Sequence, residues 1–175
     1  MSIPISIRPI ADPDVERLDR DFPEPGAPES RHGARWDLQR RQEGVYLIAW
    51  RTDRPIGWVF VHRVGSSQAS ECAVRLEAAE IEDLYVDPPF RGQGYGSALL
   101  THAERIARSE GWSRVGLEVT VSNRHNDVAR AMYERHGYVD AGLGEFESGY
   151  FYWTADGERH WDGEPHRYLV KSLMS

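Results

Sequence analysis

The spacing of apolar and polar residues changes several times along the chain, and each change predicts an element. Ile3 to Arg8 alternates between the two types and predicts a first strand. It belongs at a sheet edge, because Pro4 has no N–H to donate to a ladder. Asp12-Pro13-Asp14 places acidic residues and a proline where a helix starts, and Val15, Leu18 and Phe22 supply its apolar face. Asp21 to Ser30 holds three prolines and a glycine and reads as a loop. Ser30 to Glu43 predicts a second helix, polar apart from Trp36 and Leu38. Val45 to Arg51 and Ile56 to Arg63 then form a hairpin pattern around the turn Thr52-Asp53-Arg54-Pro55. Gly65 to Ala73 is irregular.

Glu80 to Val86 reads as a strand, in which residues 80, 82 and 84 share one face and Asp83 takes the other. From Gly96 to Glu110 the period becomes helical: Leu99, Leu100, Ala103, Ile106 and Ala107 fall on one side, and Gly111 stands at the C-terminal cap position. Val115 to Val121 predicts a strand, and Asp127 to His136 a helix closed by Gly137. Tyr138 to Glu147 and Tyr168 to Leu173 read as the last strands, with a polar, aromatic stretch between them. No repeat or linker divides the chain, so residues 1–175 are expected to form one domain. Strand–helix–strand units combined with a hairpin imply an α/β (α+β) fold, a mixed sheet of about six to seven strands flanked by about four helices.

Composition narrows the function. The chain has 21 basic and 28 acidic residues, a formal net charge of −7, which argues against a nucleic-acid-binding protein. Cys72 is the only cysteine, so neither an intrachain disulfide nor a thiolate-rich metal site is expected. The seven histidines show no metal-ligand spacing, His102, His125 and His136 read as surface residues, and no metal is expected. Met1 to Arg8 lacks a basic region followed by a long apolar run. The expectation is therefore a cytoplasmic protein without a membrane span.

The candidate chemistry begins at Arg91-Gly92-Gln93-Gly94-Tyr95-Gly96, between a predicted strand and a predicted helix. Glycines there permit positive φ and close backbone approach. Free N–H groups and the helix dipole favour an anion such as phosphate. A P-loop would need a lysine, and the only lysine is Lys171. A dinucleotide fingerprint would need glycine at the position of Ser97.

Ile81-Glu82-Asp83-Leu84-Tyr85-Val86-Asp87-Pro88 followed by Arg91 to Leu100 resembles the acetyl-CoA motif of the GNAT superfamily. That pattern is Gln/Arg-x-x-Gly-x-Gly/Ala, matched here by Arg91, Gly94 and Gly96. Asn126 to Tyr138 is similar to the family's second signature, with Asn126, Ala129, Tyr133, Gly137 and Tyr138 at the matching positions. The resemblance is specific over residues 80–139 and topological elsewhere. It implies a splayed sheet with acetyl-CoA between two parallel strands. The backbone of Leu84, Tyr85 and Val86 would hold the pantetheine arm. Arg91, Gly92, Gln93, Gly94, Tyr95, Gly96 and Ser97 would wrap the pyrophosphate, with Asn126 near the cofactor or capping its own helix.

The same resemblance makes Tyr133 the acid that protonates the departing thiolate, against a purely packing role. Glu82 is the proposed base, with Glu80 and Glu118 as rivals. Family members often form homodimers, and the acceptor groove lies between the first helices and the last strands. Trp36, Glu80, Tyr150 and Tyr152 are the expected acceptor contacts, since aromatic rings with carboxylates suit an ammonium group. Strand pairing or an interface would use the same aromatics. The expected activity is N-acetylation of a primary amine by direct attack in a ternary complex, and the expected partner is a small cationic amine. A peptide amine and a non-catalytic acyl-CoA-binding module are the alternatives.

Overall fold

The computed structural model describes residues 5–121 and 125–174, without the side chains of 125 and 126. In chain order the elements are β1 (Ile5–Pro9), α1 (Asp12–Asp21), α2 (Arg31–Arg40), β2 (Gly44–Arg51), β3 (Arg54–His62), α3 (Glu71–Leu76) and β4 (Ala79–Val86). A short 3₁₀ turn (Pro88–Phe90) leads to α4 (Tyr95–Ser109), β5 (Arg114–Thr120), α5 (His125–Arg135), β6 (Val139–Asp140), β7 (Phe146–Trp153) and β8 (Arg159–Ser172). The strands form one sheet in the order β1-β2-β3-β4-β5-β8-β6, with β7 paired to β8.

Both faces of the sheet's centre are covered, which explains the unbroken apolar runs of β2 and β3. Val45, Leu47 and Ala49 face Leu99, Leu100, Ala103 and Ala107 of α4, while Tyr46, Ile48 and Trp50 face Leu18 of α1 and Leu38 of α2. Leu18, Leu99 and Leu100 are fully buried, each contributing about 1.5–3 kcal/mol of transfer free energy. Local chemistry starts the flanking helices. The Ala11 N–H donates to Asp14 Oδ2 (2.8 Å), and the Gly33 N–H donates to Ser30 Oγ (2.7 Å).

The only parallel pairing among the described residues joins β4 to β5, and it covers just Ala79↔Val115 and Glu80↔Gly116. Beyond Glu80 the two strands part. A bulge accompanies the divergence: Trp58 pairs with Tyr85 and Phe60 with Glu82, so Asp83 and Leu84 stand opposite Val59 alone. Asp83 adopts φ 58, and such an insertion bends and twists the strand that carries it. On the other side of the gap Gly116 is pressed against Tyr168, where a Cβ would stand 2.3 Å from the ring.

Three expectations are corrected. The stretch 65–73 leads into a helical turn, α3, capped by Ser70 Oγ. Tyr138 to Glu147 is not one strand; only Val139–Asp140 pairs there, and β7 begins at Phe146. The last strand starts at Arg159 rather than Tyr168, so the polar aromatic stretch is a long hairpin, with Phe151 against Trp161 at 4.8 Å. Its tip is solvent-exposed on both faces, so no in-and-out alternation marks it. Among the described residues no helix is long and apolar enough to cross a membrane, and no cluster of His, Cys, Asp and Glu is placed to hold a metal.

Candidate active site

The parting of β4 and β5 opens a cavity of about 830 Å³. Ile81, Leu84 and Leu117 form apolar lining, and Glu80, Glu82, Glu118 and Tyr133 bring polar groups to it. The bulge decides which side chains arrive. Glu80 and Glu82 share a face, as expected from alternation. Leu84 does not join them: it packs with Ile81 against the α4 core, while Asp83 turns toward Arg31 of α2. The extra residue reverses the alternation, so Glu82 and Asp83 stand side by side on the α2 face.

The donor side is built from the start of α4. Gly94 occupies its N-cap position with φ 85, Gly92 has φ 73, and no side chain caps the helix. Left-handed backbone at these two positions requires glycine, and a Cβ on either would meet no protein atom within 4 Å. The first N–H groups of α4 are therefore available to an anion. Arg91 is tethered beside them by Nε–H donation to the Val86 carbonyl (2.8 Å), and Gln93 Nε2 donates to the Pro89 carbonyl (3.3 Å). Tyr95 packs against the α4 core, and Ser97 Oγ lies 2.5 Å from His136 Nε2. Tyr85 stacks on Trp58 at 4.3 Å, leaving its backbone as the part that can serve the gap. Past Glu80 the β5-facing edge of β4 has no strand partner, so extended backbone there can pair with an extended ligand. These features fit the pyrophosphate and pantetheine of acetyl-CoA. The side chain of Asn126 lies outside the described residues.

Tyr133, on α5, lines the cavity and is otherwise enclosed. Burial raises its pKa to about 12, so the hydroxyl keeps its proton throughout the neutral range. The two β4 glutamates differ sharply. Glu82 Oε1 accepts from Arg35 Nη2 (2.7 Å), and Glu82 Oε2 contacts Nε2 of the fully buried His62. Burial opposes its ionisation, but the His62 hydrogen bond and the Arg35 charge outweigh it and hold the carboxyl at about 2. Glu80 is buried at the base of the cavity and accepts from the Ser70 N–H (2.8 Å) and hydroxyl. There burial prevails over those hydrogen bonds, nearby Glu118 adds repulsion, and the pKa is raised. Glu118 Oε2 accepts from Ser148 Oγ (2.6 Å).

The acceptor contacts divide. Glu80 and Tyr150 line the cavity. Trp36 does not: its indole N–H donates to Asp12 (3.1 Å), and its ring packs against the α1–α2 core. Tyr152 lies farther along β7, stacked on His160 at 5.4 Å. Arg31, Arg35, Ser148 and His166 line the cavity and were not anticipated. The i,i+4 spacing of the two arginines was the available signal, since it places both on one side of α2.

An uncapped, glycine-led helix terminus following a strand with a free edge is the arrangement an acyl-CoA donor would need. Residues 13–138 match the family model for the acetyltransferase (GNAT) family, and the chain belongs to that family. An uncharacterized N-acetyltransferase of Methanocaldococcus jannaschii is 33% identical over 115 residues, 61% of this chain and 46% of that protein. The streptothricin acetyltransferase of Streptomyces lavendulae is 41% identical over 63 residues, 36% of this chain and 32% of that protein. A Salmonella typhimurium protein solved with its cofactor acetyl-CoA superposes with a TM-score of 0.65 at 14% identity, covering 98% of this chain and 95% of that one. The chain spans about half the length of the first two curated relatives it matches.

Proposed function

We propose that this chain is an acetyl-CoA-dependent N-acetyltransferase acting on a primary amine of a small cationic molecule. The observation that carries the reading is the uncapped, glycine-led start of α4 beside a gap lined by Tyr133 and by buried and exposed carboxylates. Acetyl-CoA supplies the activated thioester. The amides from Gly92 to Ser97, with Arg91, hold its pyrophosphate, and the free edge of β4 at Leu84 to Val86 holds the pantetheine.

Holding thioester and amine together recovers roughly 7–11 kcal/mol of the barrier, and proton transfers add typically 10²–10⁴-fold. Tyr133 donates its proton to the departing sulfur. The structure favours Glu80 over Glu82 as the group that takes the amine proton, through water. A carboxylate held at about 2 by two cationic or hydrogen-bonding partners is a weak base, whereas burial makes Glu80 a stronger one. Glu82 instead fixes Arg35 at the cavity wall.

Glu80, Glu118 and the Tyr150 ring around one cavity suit an ammonium group, and the streptothricin acetyltransferase relative is consistent with a small-molecule acceptor. The test is a panel of aminosugars, polyamines and peptide N-termini in a thiol-release assay with acetyl-CoA. Release driven by the small amines supports the reading. Release driven only by the peptides would move the acceptor to a protein amine, and acetyl-CoA binding without release on any amine would leave a binding module.

A further inference from the structure

Tyr168 carries a buried hydroxyl that the packing of its ring does not require. The side chain is 1% exposed, and the hydroxyl meets no hydrogen-bond partner among the described residues. Phenylalanine would fill the same space without burying an unsatisfied O–H, so the hydroxyl calls for a role.

The sheet register shows where the phenol is aimed. Glu80 of β4 stands beside Gly116 of β5, and Glu118, two residues on, stands opposite Tyr168 of β8. Register partners point to the same face, as do alternate residues of one strand. Glu80, Gly116, Glu118 and Tyr168 therefore share one face of the sheet. Gly116 puts no side chain there, and the Tyr168 ring lies in the space left. A Cβ on Gly116 would stand 2.3 Å from the ring and 2.6 Å from the hydroxyl. The phenol thus crosses β5 toward β4, where Glu80 is the next side chain on that face.

Among the described residues, the polar and titratable groups around Tyr168 and Glu80 are Ser70 and Cys72 at α3, His62 of β3, Glu118 of β5 and Tyr138 before β6. Ser70 donates its N–H (2.8 Å) and its hydroxyl to Glu80. Burial opposes a charge on Glu80 despite these bonds, and Glu118 adds repulsion. An O–H dipole directed at the carboxylate acts the other way, because it stabilises the charged form more than the neutral acid.

We propose that Tyr168 is a positioning residue for the base: its hydroxyl, carried across Gly116, directs its proton at the Glu80 carboxylate and favours the ionised form that accepts the amine proton. The proposal rests on the reading of Glu80 as the base.

Tyr168→Phe removes the hydroxyl and keeps the ring. Carbon-13 NMR of the full chain, labelled at the glutamate carboxyls, follows the Glu80 titration without any acceptor, and loss of the signal in Glu80→Gln assigns it. In Tyr168→Phe the titration should move upward by about one pH unit, the equivalent of one hydrogen bond. By linkage, urea denaturation should show wild type gaining on the variant as pH rises through that titration. A purely structural hydroxyl would give a stability difference that does not change with pH. An unmoved Glu80 signal in Tyr168→Phe would overturn the proposal. With an amine that supports thiol release, the acid limb of kcat/KM should move by the same amount as the signal. A limb that stays in place while the Glu80 signal moves would instead remove Glu80 as the base, and the positioning role with it.

Discussion

Replacing Glu82 with Gln separates its role as an anchor from any role as a base. The amide keeps the shape but removes the charge that faces Arg35 and the fully buried His62. Holding the carboxyl at about 2 rather than its ordinary 4.5 corresponds to about 3 kcal/mol if taken whole. The side chain is 46% exposed, so solvent screening reduces this to about 1–2 kcal/mol, a melting-temperature loss of about 3–6 °C at this size. The sign follows from the direction of the shift. A carboxyl depressed in the folded state stabilises above its unfolded value of 4.5, and that contribution is lost as pH falls through the folded value near 2. Urea denaturation of wild type and variant at neutral pH and at several values below 4.5 reads the difference directly, with other carboxylates cancelling between the two proteins. The wild type should lead at neutral pH and the gap should close on acidification. A constant gap, or none at pH 7, would refute the ion-pair account of Glu82.

Tyr133→Phe should lower kcat about 10²-fold while leaving the acetyl-CoA Kd within about twofold; unchanged turnover would eliminate the hydroxyl as the acid. Because burial holds Tyr133 at about 12, wild-type kcat should show no alkaline fall from this group near pH 10, its ordinary value. Glu80→Gln should cut kcat/KM about 10²-fold and remove its acid limb, since wild-type activity must rise with pH through the raised Glu80 titration. A limb that persists in the variant would assign the base elsewhere. Gly116→Ala should destabilise by about 1–3 kcal/mol, because the new Cβ would lie 2.3 Å from the buried Tyr168 ring; an unchanged urea midpoint would show that the ring can yield.

The parts of the fold that were legible are those whose signal is local. Leu99, Leu100, Ala103 and Ala107 repeat at helical spacing and all face the core, and Gly92 and Gly94 carry positive φ just where a turn into a helix needs it. The site's finer geometry is not local. Asp83 in the left-handed region carries no glycine to announce a bulge, yet that bulge moves Leu84 off the face shared by Glu80 and Glu82. The choice between those two glutamates depends on Arg35, His62 and Ser70, which reach them from three other segments. Trp36 and Tyr152 have the chemistry of an acceptor contact but sit on the wrong side of α2 or too far along β7 to line the cavity. The β7–β8 hairpin escaped because its tip is exposed on both faces, so burial imposes no alternation on it.

Donor binding by this chain depends, on the proposed function, on the start of α4 holding the pyrophosphate of acetyl-CoA. Calorimetric titration of acetyl-CoA into wild type and Gly94→Asp tests it most directly. The aspartate would put a carboxylate against the diphosphate and a side chain at φ 85. Saturable single-site binding by the wild type, lost in the variant, is the predicted result. Equal binding by both proteins, or none by the wild type, would contradict it.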